Sequence, residues 1–162
     1  LSIDAYLEKS YFKTATLIAN SCKAAAVLSE VSPTLAESLY GYGRHFGLAF
    51  QIVDDILDFT GSTEELGKPA GSDLKSGNLT APVLYALEEK PALEVIIERE
   101  FAQPGDLEQA LALVAASKGI ERSRELAKYH AHQATQCLEG LPPSPPRQTL
   151  TKLTEYVLRR LY

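Results

Sequence analysis

No stretch of this 162-residue chain alternates apolar and polar side chains for long, while apolar positions recur at helical spacing along nearly all of it. A strand needs a period of two to bury one face, and a helix needs 3.6. The chain therefore reads as all-α. Residues 5–28 carry Tyr6, Leu17, Ile18, Cys22, Val27 and Leu28 on a helical pattern. Alanines at 15, 19, 24, 25 and 26 favour close packing of a second helix on that one. Ser32 followed by Pro33 has the form of an N-cap with proline in the first turn. The helix it opens is expected to run to about Phe59. Residues 61–77 read as a loop. Short helices are expected over 80–89 and 91–101. Asp106 with Gln109 three residues on has capping-box spacing. A helix over 121–138, a proline-rich connector "GLPPSPPR" and a last helix complete the chain, which has no internal repeat.

With 45% of its residues among AVILMFWYC, the chain can bury the core of one domain. Sixteen basic against 21 acidic residues give a formal charge of −5. That balance argues against nucleic acid, whose partners present a basic surface. It does not exclude an anion held locally by a few lysines and a metal. Cys22 and Cys137 lie far apart without metal-ligand company, so neither a disulfide framework nor a zinc site is expected. Apolar runs are too short for a membrane span. The start, "LSIDAYLEKSYFKTATLIAN", has no cationic, apolar, cleavage-site order, so no targeting segment is expected in this chain.

The chemistry concentrates in "FQIVDDILDFTGSTEELGKPAGSDLKSGN", residues 50–78. On a helix Asp54 and Asp58 share a face, and Gln51 stands one turn before Asp55. Like charges at this spacing repel by a few tenths of a kcal/mol, or ~0.2–0.5. Their clustering fits a hard cation, and carboxylate oxygens suit Mg²⁺. The neighbours Leu48, Ile52, Val53, Ile56 and Leu57 are apolar, so the acids ride on a largely buried helix. A solvated acidic helix end is the competing reading, and the DDxxD spacing by itself leaves both open. Lys13, Lys68 and Lys75 could join the acids around a phosphorylated ligand, as point charges beside a metal; each alone reads as a surface lysine. His45, His130 and His132 read as surface or interhelical polar groups, and Arg159 and Arg160 as solvated cations at a helix end. Glu88 and Glu89 read as a solvated end.

Three segments carry a resemblance. "GLAFQIVDDILDFTGSTEELGKPAGSDL" resembles the second aspartate-rich region of trans-isoprenyl diphosphate synthases. "YFKTATLIANSCKAAA" resembles the Lys-Thr helix before it, and "LTAPVLYALE" the helix after it. "GNLTAPV" and "EFAQPGDLEQAL" look most like long-chain, solanesyl-type synthases of plastids and cyanobacteria. The resemblance covers residues 1–162 and about the C-terminal half of the family's domain.

It implies an antiparallel helix bundle of the isoprenoid/terpenoid synthase type, condensing an allylic diphosphate with isopentenyl diphosphate into a long all-trans product. It implies a plastid or a cyanobacterial cytoplasm. Asp54 and Asp58 would hold Mg²⁺ on the leaving diphosphate, with Asp55 supporting them. Lys13 and Lys68 would contact the allylic diphosphate. Thr14 and Gln51 would stabilise the cation with their dipoles. Phe50 would pack near the isopentenyl unit. Asp73 matches an acidic position after the Gly-Lys pair. Asn78 stands where many members have lysine; it can hydrogen-bond a phosphate but adds no charge, so one diphosphate contact is weakened or taken up by Lys75. The first aspartate-rich motif and the basic isopentenyl site are not among these residues, so the chain alone is expected to be inactive. It is expected to need the N-terminal half, or to form a homo- or hetero-oligomer. A non-catalytic synthase-like scaffold is the rival reading, and a terpene cyclase a weaker third.

Overall fold

The computed structural model describes residues 2–61 and 70–162. Its first helical stretch comprises α1 (Ile3–Ser10), a π turn (Tyr11–Ala15) and α2 (Thr16–Leu28). Periodicity predicted an unbroken α-helix here. The Thr16 N–H instead reaches back five residues to the Tyr11 carbonyl, the i→i+5 bond of a π turn. The Ser29 N–H closes α2 on the Ala25 and Ala26 carbonyls at 3.0 and 3.1 Å, and Glu30 takes a positive φ of 55° to leave the helix.

Helix α3 spans Pro33–Thr60. The Ser32 hydroxyl accepts the Leu35 N–H at 3.3 Å, as its cap position predicts. After α3 come α4 (Ser72–Lys75), α5 (Ala81–Leu87), α6 (Ala92–Glu98), α7 (Asp106–Ala115), α8 (Gly119–Cys137) and α9 (Pro145–Arg159). Among the described residues there is no strand. Helix α4 falls in the segment expected to be loop. Gly71 enters it at φ 73°, a conformation that costs glycine little. No helix of the described residues is long and apolar enough to cross a membrane.

The chain divides into two compact units. One comprises Leu1–Tyr6 and Asp54–Glu125, the other Leu7–Val53 and Leu126–Tyr162. The first is built on Leu74, Val83, Ala86, Leu93, Ile96, Ala110 and Val114, all buried. Short helices suffice there because each places only one or two residues in this cluster. In the second, the π turn and α2 pack on α3 with almost no space between their backbones. A Cβ added at Gly43 would come within 2.7 Å of the Ala19 Cα, and one at Gly47 within 2.6 Å of the Ala15 Cα. The alanine pattern thus does what was expected at Ala15, Ala19 and Ala26, which are buried. Ala24 and Ala25 are exposed. Tyr42, Ala134 and Leu138 form a second buried cluster in this unit, flanked by half-buried Cys22 and Cys137. Ser144 caps α9 by accepting the Arg147 N–H at 3.4 Å.

Candidate active site

The acids stand on the last turns of α3, and the fold treats each one differently. Asp55 is buried and accepts the Tyr6 hydroxyl at 2.5 Å. Asp58 is only 1% exposed. Its Oδ1 accepts the Ser72 hydroxyl at 2.9 Å and its Oδ2 the Asp73 N–H at 3.2 Å, while its carbonyl accepts the Gly71 N–H at 2.8 Å. A carboxylate at the start of a short helix satisfies N–H groups that have no partner within it. Asp58 thereby ties α4 to α3. Asp54, one residue before Asp55, is half-buried. Asn78 follows α4, half-buried, and its N–H donates to the Asp73 carbonyl at 2.9 Å. Lys75 is exposed on α4. Lys68 lies outside the described residues.

In the other unit, Lys13 and Thr14 both sit on the π turn. Lys13 is exposed. The Thr14 hydroxyl donates to Gln51 Oε1 at 2.6 Å, joining the two groups expected to face a cation. Phe50 is half-buried, and the Arg160 guanidinium lies 5.3 Å from its ring centroid. Arg160 is therefore more than a solvated end, since a cation over an aromatic face is attracted by the ring.

Tyr6, Ser72 and Arg160 are the partners that sequence reading did not find. Tyr6 lies 49 residues from Asp55, and no local signal links positions so far apart. Other expectations fare variously. His45 and His130 are interhelical, with Nδ1 atoms 2.9 Å apart, and His132 is exposed. Glu88 and Glu89 are exposed, as expected of a solvated end, with Glu88 paired to Arg122 and Glu89 accepting the Lys118 N–H at 3.2 Å.

Among the described residues no group of three or more His, Cys, Asp or Glu is gathered as a metal cage. That does not disqualify Mg²⁺, which keeps several waters and is commonly held by one or two carboxylates together with substrate phosphates. An all-oxygen donor set with Asp54 half-exposed beside two internally bonded acids fits that mode.

The polyprenyl synthetase family model matches residues 1–114. The chain belongs to the polyprenyl synthetase family. It is 63% identical over 160 residues to a prenyl transferase of Synechocystis sp., covering 99% of this chain and 50% of that protein. It is 53% identical over 161 residues to the chloroplastic solanesyl-diphosphate synthase 2 of Oryza sativa subsp. japonica, covering 99% of this chain and 40% of that one. Among solved structures, a polyprenyl synthase from Caulobacter crescentus complexed with calcium and isoprenyl diphosphate superimposes with a TM-score of 0.90 at 35% identity. That match covers 100% of this chain and 51% of that one. The chain spans about half the length of the curated relatives it matches, or somewhat less.

Proposed function

We infer that this chain is the C-terminal half of a prenyltransferase that joins an allylic diphosphate to isopentenyl diphosphate and repeats the cycle to a long all-trans polyprenyl diphosphate. The observation that carries the reading is the gathering of three carboxylates on the last turns of α3, one of them half-exposed. Asp55 and Asp58 are held by Tyr6, Ser72 and the Asp73 N–H, and Asp54 stands half-exposed beside them. The family membership, a solanesyl-diphosphate synthase relative and a neighbour complexed with isoprenyl diphosphate support it.

In this reading Asp54 would hold Mg²⁺ together with Asp58, which is 1% exposed and would exchange its bond to Ser72 or to the Asp73 N–H to share the ion, with Asp55 keeping the cluster in place. When bound, the ion would neutralise oxygens of the departing diphosphate. Lys13 and Lys68 contact the same diphosphate as point charges, and Asn78 donates a neutral hydrogen bond. The allylic C–O bond breaks, and its electron pair leaves with the diphosphate. Thr14 and Gln51 turn their dipoles to the allylic cation, and Phe50 packs against the isopentenyl unit whose double bond attacks it. Loss of a proton completes the new trans unit. Diphosphate chemistry of this kind needs the remainder of the domain and an oligomeric or half-domain partner. We assign it to a plastid or a cyanobacterial cytoplasm, as the names and sources of the relatives suggest.

The test is a chimera in which this chain replaces the matching half of the Synechocystis relative. Asp54→Ala is expected to cut turnover by about 10²–10³-fold, the size of one lost charge-stabilising contact, with the circular dichroism spectrum unchanged. Turnover equal to that of the unsubstituted chimera would overturn the assignment of Asp54.

A further inference from the structure

The π turn carries both Lys13 and Thr14, so whatever holds that turn open also aims them. Five residues apart on an α-helix, two side chains lie about 140° apart around the axis. Tyr11 and Thr16 stand at that separation, yet the Thr16 hydroxyl donates to the Tyr11 hydroxyl at 3.4 Å. The wider i→i+5 turn brings them to one side. The Tyr11 hydroxyl also bonds the Tyr40 hydroxyl on α3 at 2.5 Å. The Arg44 guanidinium, one turn beyond Tyr40, lies 5.7 Å from the Tyr11 ring centroid. At the far end of the turn, Ala15 is fully buried where Gly47 lets the α3 backbone approach, and Thr14 is bonded to Gln51 at 2.6 Å. The extra residue of the turn is therefore clamped to α3 at both ends.

We propose that Tyr40, acting through Tyr11, is a positioning residue that holds the π turn open and so aims Lys13 and Thr14 at the substrate. The proposal rests on the prenyl-transfer reading for what the aim serves, but its structural half stands apart from that reading. A relaxed α-helical turn would rotate the residues after the lost bulge by about one residue step, 100°. That would carry Lys13 and Thr14 away from their present directions and break the Thr14–Gln51 bond. Tyr40 itself touches no reacting atom.

The variants Tyr40→Phe and Tyr11→Phe each delete one hydroxyl and keep the ring, so two independent substitutions guard against a misfolded one. In the Synechocystis chimera each is expected to lower kcat by about 10²-fold or more, the cost that a misplacement of about 1 Å already carries, and to raise the KM for the allylic diphosphate that Lys13 would contact, with the circular dichroism spectrum unchanged. In a Thr14→Val background the same substitutions are expected to have a smaller effect, leaving only the part that acts through Lys13, because coupled residues are not additive. A crystal structure of the Tyr40→Phe chimera supplies the second readout: the Thr16 N–H is expected to shift from the Tyr11 to the Phe12 carbonyl. Retention of the i→i+5 bond in that structure, or an unchanged kcat in both variants, overturns the proposal. Failure of the prenyl-transfer reading shows separately, as a chimera that makes no product or one in which Asp54→Ala leaves turnover unaltered.

Discussion

At the scale of single residues, the His45–His130 pair is the clearest case of a side chain whose state the fold decides. With Nδ1 atoms 2.9 Å apart, only one of them carries the shared proton. His130 Nε2 is buried and has no hydrogen-bond partner among the described residues. Burial, the neighbouring His45 and Arg44 push His130 down from 6.5 to about 4. The unfolded chain takes up this proton at higher pH than the folded one. The neutral imidazole's contribution is therefore whole above about pH 6.5 and lost as the pH falls towards 4. The unfolding free energy is expected to drop by about 3 kcal/mol across that window, at 1.36 kcal/mol per pH unit of difference. His130→Gln should flatten this segment of a urea-denaturation pH profile, and an unchanged profile would count against the pair as its source. Their sequence reading as interhelical polar groups was adequate for position. It could not supply the pairing, because 85 residues separate the two rings.

At the scale of elements, α7 shows how a local signal is redirected by a partner. Asp106 has the spacing of a capping box, but the N-cap is Gly105, at φ 86°, and Asp106 is the first helical residue. Its carboxylate turns instead to the Arg99 fork, with Arg99 Nε at 2.8 Å and Nη2 bonded to the other oxygen, and to the Gln103 N–H at 3.0 Å. A bidentate guanidinium outcompetes a single neutral cap. The Arg99 hydrogen bond holds the Asp106 carboxyl below its ordinary 3.8. The stabilisation from this ion pair is present above pH 3.8 and lost as the pH falls through the lower folded value. Asp106→Asn is expected to remove that acid-limb loss, which thermal melts between pH 2 and 5 would register. The contact of α3 with the π turn is the second element-scale prediction. Gly47→Ala should destabilise the chain by about 1–3 kcal/mol through overpacking, since its Cβ would meet Ala15 at 2.6 Å. A midpoint in urea equal to that of the parent would mean the helices part without cost.

At the scale of the molecule, each unit has its own buried cluster, yet one helical stretch leaves large apolar side chains outside. Phe12, Leu17 and Leu28 are 65%, 74% and 85% exposed, with Val27 beside them. Apolar side chains gathered along one stretch call for a covering surface. The chain alone is expected to give no prenyl transfer and to self-associate. On the prenyl-transfer reading, a half-domain without its complement would forfeit much of the ~7–11 kcal/mol that orientation supplies. Mixing it with the complementary half of the Synechocystis relative should restore incorporation of labelled isopentenyl diphosphate into butanol-extractable product. Robust product from the chain alone would show that the complement is not needed.

Features that depend on neighbours within a turn or two are legible in the residues alone. The helical periods, the Ser32–Pro33 start of α3, the acids on α3 and the alanines at 15, 19 and 26 are local patterns, and each is found in place, whereas α9 begins at Pro145, inside the segment read as connector, because proline suits the first turn of a helix. The tertiary structure alone decided the rest. The π turn exists in a segment whose periodicity fits an α-helix, because contacts with α3 stabilise the extra residue. Asp55 is bonded to Tyr6 and Asp58 to α4 because α3 brings its acids against segments 49 and 14 residues away. Side-chain pairs between distant segments follow from how helices meet, and helix periodicity carries no information about that meeting.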